Sequence, residues 1–350
     1  MAKRSTAIKL NAIDLFSGCG GLSQGMHDAG FQTKVAIELE PIAARAYKLN
    51  HPNTHVIQKD IRDIGAKEIK KLLGNEPLHL LAGCPPCQGF SSVRRLNKKQ
   101  NVKDDRNNLV LEYFRMVEIL KPITIMMENV PALKDYYLFK EIVKKLKLLG
   151  YHIEIEILDV KEYGVPQRRR RLVMLGSLLG AIAMPTPETK KITVRDAIFS
   201  LLPPELATDP LQKIVAKHTE GVTRRIKLTP KNGGSWKDLP KEYVLNCHKK
   251  DGVGFNDVYG RLRWDDYSTT ITGGCLNPSK GRFLHPEQNR VITPREAALL
   301  QSFPKTYKFP IDIPKHSLAL LIGNALPPKF SYFQSKNIAS HIKSYQLHSQ

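Results

Sequence analysis

Ala12-Ile13-Asp14-Leu15-Phe16-Ser17-Gly18-Cys19-Gly20-Gly21-Leu22 sets a short apolar run directly against a cluster of glycines. The run from 12 to 16 has the composition of a buried strand, the glycines allow tight turning and close approach to a ligand, and a helical stretch follows over 22–29. Strand, glycine loop and helix in immediate succession open an α/β fold with a parallel sheet, in which ligands bind at the carboxyl edge. Two further units extend the pattern. Val35, Ala36 and Ile37 form a strand that ends in Glu38, with a helix expected over 41–49, and a third strand over 54–57 runs to Asp60. An acid about 20 residues beyond the glycines is placed to hold ribose hydroxyls. Asp60, at the next strand's end, is placed to reach a purine or its sugar, so an adenosine-type cofactor is expected. Neither Gly-x-x-x-x-Gly-Lys-Ser/Thr nor Gly-x-Gly-x-x-Gly occurs here, so the cofactor's tail is expected to be uncharged or zwitterionic rather than a phosphate chain.

Farther along, Leu78, Leu80, Leu81 and Ala82 form another apolar strand, and Gly83-Cys84-Pro85-Pro86-Cys87-Gln88-Gly89-Phe90-Ser91 follows it. The two prolines fix φ and remove two backbone donors just ahead of Cys87, a stiff turn of the kind that holds a nucleophile out of a sheet. Cys84 and Cys87 could instead be half of a zinc site or a redox dithiol. No second Cys-x-x-Cys and no His-Glu-x-x-His occurs, and Cys19, Cys247 and Cys275 are scattered, so no metal is expected.

The chain has 350 residues, enough for one large core and a smaller satellite domain. Lysine and arginine number 54 against 33 acids, a formal charge of +21, which calls for a polyanionic partner. No apolar run approaches the roughly 20 residues of a spanning helix and no signal peptide opens the chain, so nucleic acid is favoured over a membrane surface. Five cysteines without a regular framework fit a reducing cytoplasm.

Glu128 ends an apolar strand over 123–127, expected one strand over from Cys87, and Arg168 to Arg171 lie between Tyr163-Gly164-Val165-Pro166-Gln167 and the apolar 172–175. Strand alternation there aims Arg169 and Arg171 to one face. With Asp14 to Gly21, Pro86-Cys87-Gln88, Glu128-Asn129-Val130, Gln167 to Arg171, Pro294 to Pro304 and Gly323-Asn324-Ala325-Leu326-Pro327-Pro328 in this order, the chain resembles the DNA cytosine-5 methyltransferases of bacterial restriction-modification systems over nearly its whole length.

The resemblance implies S-adenosylmethionine as cofactor, on a Rossmann-like methyltransferase sheet. It places Phe16 and the glycine loop (Asp14, Ser17, Gly18, Gly20, Gly21, Leu22) around the methionine end, with Pro86 alongside. Glu38 falls on the ribose, Asp60 and Ile61 at the adenine, and Asn324 and Ala325 close the pocket. Leu39 stands where an aromatic is sometimes found, a change in adenine packing rather than chemistry.

The chemistry explains the residue types. Carbon 5 of cytosine is a poor nucleophile until the ring's aromaticity is broken. A thiolate adding to carbon 6 does this and leaves an enamine, which makes Cys87 the expected nucleophile. A carboxyl group in a dry pocket at ring nitrogen 3 assists, the role expected for Glu128. The resemblance gives Arg169 and Arg171 the support of the cysteine and a backbone phosphate, and of the cytosine's carbonyl oxygen. The target base must be flipped out of the duplex, at a cost of a few kcal/mol. The segment 91–106 with Arg94, Arg95 and Arg106, flanked by Gln88 and Ser91, is expected to close over it and follow phosphates.

Composition changes after Pro185-Thr186-Pro187, so a discontinuous catalytic domain is expected over 1–190 and 318–350, with a smaller β-rich target-recognition domain over 191–317. In the latter, Arg225, Lys227 and Ser235 belong to a basic, glycine-rich patch placed to read base edges, and Thr270 resembles the threonine ahead of a second recognition loop. The expected activity is sequence-specific DNA cytosine-5 methylation by a cytoplasmic, nucleoid-associated monomer, with double-stranded DNA as partner and room for a cognate restriction endonuclease. The rival reading keeps the chemistry and takes a cytosine in transfer RNA as substrate.

Overall fold

Leu10–Leu15 (β1), Phe31–Ile37 (β2), His55–Ile57 (β3), Leu80–Gly83 (β4), Thr124–Asn129 (β5), His152–Asp159 (β6) and Arg170–Ser177 (β7) form one seven-stranded sheet. The structure is a computed structural model that describes residues 9–86, 108–188, 190–249 and 257–348. The strand order is β3-β2-β1-β4-β5-β7-β6. Pairing is parallel from β3 through β5, and β7 runs antiparallel to β5 with Val173 opposite Glu128. From β1 the chain moves outward through β2 to β3, then returns to build the other half from β4. The order therefore reverses between β1 and β4, where an open α/β sheet leaves a crevice at its carboxyl edge.

Every residue of β1, β4 and β5 is buried, as expected of strands covered on both faces. The cover comes from helices Gly21–Asp28 (α1), Pro41–Asn50 (α2), Ala66–Leu73 (α3), Leu109–Leu120 (α4) and Tyr137–Leu148 (α5). On α4, Val110, Tyr113, Phe114 and Val117 recur at helical spacing and face the core with Leu81, Ile125 and Met127. Each such side chain stabilises the fold by about 1.5–3 kcal/mol through burial. The Tyr113 hydroxyl lies 3.2 Å from Leu81 O and 3.1 Å from Met126 O, bridging β4 and β5.

Two compact units divide the chain. The first holds the chain up to Leu158, Arg170–Thr186 and everything from Phe330 on; the second holds Asp159–Arg169 and Pro187–Lys329. The C-terminal helix Pro328–His348 joins the first unit through Ser331 Oγ donating to Leu22 O (2.7 Å) and Asn337 Nδ2 to Ala183 O (2.7 Å). The division thus falls at 330 rather than 318, and the short piece 159–169 goes to the second unit.

The second unit contains helices Val194–Ile198 (α6), Pro210–Lys213 (α7), Glu220–Leu228 (α8), Pro294–Leu300 (α9) and Lys315–Asn324 (α10). It is not β-rich as expected. Among its described residues, β pairing is limited to the isolated bridges Gln167–Ser268, Arg261–Leu284 and Leu284–Val291. Prolines at 203, 204, 230, 240, 278 and 286 interrupt the segment and cannot donate to a ladder. Side chains do the holding instead. Arg261, fully buried, donates to Ile226 O, Thr229 O, His285 O, Gln288 O and Asn289 Oδ1. Burial pushes its guanidinium down to about 10, so it remains a cation at neutral pH. Arg290 and Glu296 form a buried bidentate pair at 2.7 and 2.6 Å, and Thr293 and Glu296 complete a capping box on α9.

Candidate active site

At the carboxyl end of β1 the backbone turns through three left-handed residues, Phe16 (φ 58), Gly18 (φ 55) and Gly20 (φ 95). A Cβ added at Gly18 would meet no atom within 4 Å, so the loop has an open side there. Glu38, just past β2, clamps this loop: one carboxylate oxygen accepts from Gly18 N at 2.6 Å and the other from Glu40 N at 2.8 Å. Burial nonetheless raises its pKa above the ordinary carboxyl value.

Asp14 lies behind the loop rather than in its open side. It is fully buried, its Oδ2 accepts from Ser23 Oγ at 2.7 Å, and Ser23 Oγ lies 2.6 Å from Tyr47 Oη. Its Oδ1, like Ser17 Oγ, is buried with no hydrogen-bond partner among the described residues. Burial pushes the Asp14 carboxyl up to about 8, so it is largely neutral at pH 7. Asp14 is therefore a brace. Gly20, Gly21 and Leu22 are likewise buried, whereas Leu39 is 54% exposed. Cys19 is buried and its thiol is pushed up to about 12, which leaves it inert.

At the end of β3, Asp60 caps the short turn Ile61–Asp63 by accepting from Arg62 N at 2.9 Å, and pairs with the Arg62 guanidinium at 2.6 Å, which holds its pKa below the ordinary value. Arg115 on α4 fixes the same turn from behind, donating to Ile61 O (2.7 Å) and Ile64 O (3.1 Å). The Ile61 side chain is buried.

On the other side of the crevice, Cys84 N donates to Leu15 O at 3.3 Å as the chain leaves β4. Asn129, at the end of neighbouring β5, donates from Nδ2 to Pro85 O and accepts at Oδ1 from Val130 N, each at 2.8 Å. Its side chain thus splints the Cys84-Pro85-Pro86 turn to β5. Glu128 is 9% exposed, and Arg171 Nε, near the start of antiparallel β7, approaches its Oε1 to 2.6 Å. Burial first, and the Glu128 carboxylate second, push the Cys84 thiol far above its ordinary value, so Cys84 stays protonated beside Glu128. Cys87, Gln88, Ser91, Arg94, Arg95 and Arg106 lie outside the described residues, and Pro86 is the last described residue before them.

In the second unit, Arg169 is 6% exposed and its Nη1 donates to Ile271 O and Gly323 O, both at 3.0 Å. Asn324 ends α10 and is exposed, with Ala325 half-buried beside it. Of two residues expected on a DNA-reading surface, Ser235 is buried and Arg225 is half-buried. Ser235 is 7% exposed and caps its turn with Asp238, and Arg225 donates to Tyr243 O at 2.9 Å. The Ser-x-x-Asp spacing carried the first of these signals. Lys227 is exposed, and Thr270 Oγ1 donates to Arg168 O at 2.7 Å. Ser23, Tyr47 and Arg115 leave no local signal in the sequence, because each acts on another element of the fold.

The C-5 cytosine-specific DNA methylase family matches residues 10–340. The Type II methylase M.HgiDII of Herpetosiphon aurantiacus is 35% identical over 340 residues, covering 93% of this chain and 94% of that one. The Type II methyltransferase M1.HphI of Haemophilus parahaemolyticus is 33% identical, covering 92% and 84%. Among solved structures, a DNA modification methyltransferase encoded within a prophage of E. coli superposes with a TM-score of 0.69 at 26% identity, covering 96% of this chain and all of that one. With a doubly wound sheet carrying the glycine loop, Glu38 and Glu128 at its carboxyl edge, the chain belongs to the C-5 cytosine-specific DNA methylases, enzymes that methylate DNA with S-adenosylmethionine.

Proposed function

We propose that the protein methylates carbon 5 of a cytosine within one short DNA sequence, using Cys87 as nucleophile and the Glu128–Arg171 pair to hold the ring. The observation that supports this reading is the pair itself, a buried carboxylate and a guanidinium 2.6 Å apart beside a turn splinted by Asn129 that leads directly to Cys87. The Cys87 thiolate bonds to carbon 6, and the displaced electron pair moves toward nitrogen 3, where Glu128 holds the hydrogen. Carbon 5 is thereby made nucleophilic. After methylation carbon 5 gives its proton to a water molecule, the sulfur–carbon bond breaks, nitrogen 3 returns its hydrogen to Glu128, and the ring and the thiolate are restored. Arg171 orients the Glu128 carboxylate and is within reach of the ring's carbonyl oxygen.

Bound S-adenosylmethionine supplies the methyl group. The residues present fit it: an open glycine loop, a carboxylate at Glu38 suited to two hydroxyls, and an orphaned buried hydroxyl at Ser17. In this reading Phe16, Gly18, Glu38, Asp60, Ile61, Pro86, Asn324 and Ala325 are the cofactor residues. Target recognition is assigned to the second unit, with Lys227 and Thr270 as its contacts, and Arg169 holds the backbone at Ile271 next to Thr270. The chain works as a monomer that follows the cell's DNA, with a restriction endonuclease of the same specificity as its partner, in keeping with relatives named Type II methylases. Among the described residues no helix is long and apolar enough to cross a membrane.

Bisulfite sequencing of unmethylated DNA and of total transfer RNA, after incubation with the protein and S-adenosylmethionine, tests the substrate. Protected cytosines confined to one short DNA motif are expected. Protection only at one transfer RNA position overturns the DNA reading. Cys87→Ser removes the soft nucleophile and is expected to abolish protection.

A further inference from the structure

We infer that Gln301, with Gln167, is a positioning residue that couples the DNA-reading segment Thr270–Gly273 to the cofactor turn Gly323-Asn324-Ala325. The inference rests on the reading of Thr270 as a DNA contact and of Asn324 and Ala325 as cofactor residues. Both glutamines are fully buried. Gln167 Oε1 accepts from Ile271 N at 2.8 Å, and its Nε2 donates to Gln301 Oε1 at 2.7 Å. Gln301 Nε2 then donates to Ile322 O at 2.7 Å and lies 3.4 Å from Ala325 O.

Backbone groups at the two ends dictate the orientation of both amides. An N–H at Ile271 requires the Gln167 oxygen, and a carbonyl at Ile322 requires the Gln301 nitrogen, so one directed chain of hydrogen bonds runs between the segments. A second bridge runs beside it, since Arg169 Nη1 donates to both Ile271 O and Gly323 O. The two backbones also touch directly. A Cβ at Gly323 would stand 2.0 Å from the carbonyl carbon of Thr272, so only glycine permits the seat. Both the amide and the carbonyl of Ile271 are thus tied to the end of α10, and neither segment can shift without breaking a buried bond or moving the other.

A residue that merely filled space here could be apolar. Two buried primary amides are costly unless both are hydrogen-bonded, because an unpaired donor or acceptor bears its full desolvation penalty. Thr270, next to Ile271, is where DNA would pull, and Asn324 and Ala325 are where the cofactor would respond. Linkage makes the effect reciprocal: DNA tightens cofactor binding by the factor that cofactor tightens DNA binding.

Calorimetric titration of S-adenosylhomocysteine into the full-length protein, with and without a duplex carrying the motif found by bisulfite sequencing, tests this. Wild type is expected to bind about tenfold tighter with the duplex, within the usual range of such couplings. Gln301→Met and Gln167→Met are each expected to cut that ratio to about twofold or less. The double variant should be no worse than either alone, because both break the same chain. Thr293→Ala, which weakens the cap of α9 without touching the relay, should lower the melting temperature and keep the ratio. Should Q301M fail to fold, Q167M reads the same quantity. A wild-type ratio of one, or a ratio unchanged in both glutamine variants, overturns the inference. A wild-type protein that binds no S-adenosylhomocysteine in either condition overturns the cofactor reading and the inference with it.

Discussion

Glu128 and Asp14 are both strand carboxyls in the same sheet, yet their surroundings give them different work. Glu128 sits beside a guanidinium at a strand end, and Glu128→Gln replaces the carboxyl group with an amide of the same shape. The expected outcome is a fall in kcat of about 100-fold or more, measured as methyl transfer to DNA in a single turnover, with little change in melting temperature. Asp14 has no cation among its hydrogen-bond partners, and its effect is on stability. Its folded pKa of about 8 exceeds the unfolded value, so between them the folded state binds the extra proton and stability falls as pH rises. His51 and His285, both pushed down to about 4 by burial, act the other way below their ordinary 6.5, where stability rises with pH. From about pH 6.5 to 8, therefore, melting temperature should fall in wild type and stay flatter in Asp14→Asn, measured by calorimetric scans across that window. Glu128 was legible because Ile-Met-Met leads straight into it. The bracing of Asp14 was not, because its partner Ser23 and the Tyr47 hydroxyl that meets Ser23 arrive from other elements.

Elements differ in how much of their stability is local. Helix α9 carries its own start signal, Thr293-Pro294-Arg295-Glu296, in which the capping acid is also one half of the buried pair with Arg290. Removing that acid leaves a buried cation without its partner, so Glu296→Leu alone is expected to cost about 3–5 kcal/mol in urea unfolding. Adding Arg290→Met should recover much of the loss. The strands of the first unit other than β6 were readable to within a few residues because full burial leaves apolar runs, as in Leu80 to Ala82 and Ile125 to Met127. The second unit misled because valines, threonines and glycines between turns suggest strands, whereas the prolines in the same stretches deny them a ladder. What replaces the ladder, side chains reaching across tens of residues, leaves no periodic trace.

For the whole molecule, a formal charge of +21 sets the terms of its encounter with DNA. If six to ten phosphates are neutralised, affinity for a duplex lacking the motif should fall by about 10³-fold or more between roughly 50 and 200 mM salt. Fluorescence anisotropy with a labelled non-cognate duplex measures this; a flat salt profile would deny the charge any part in binding. In the sequence the chain from about 318 onward reads as packing back onto the first domain, and the first unit takes up the chain from Phe330. Its crossing points were not legible, because they depend on where Gly323 seats and on which unit claims 159–169.

Arg261 bears on how such a protein can change over generations. All but one of its bonds go to main-chain carbonyls, which every amino acid offers alike. The stretches it gathers, from Ile226 to Thr229 and from His285 to Asn289, are held in place without regard to most of the side chains they present. Residues around that hub can therefore be exchanged while the scaffold stays standing. One invariant cation would free its neighbours to diversify.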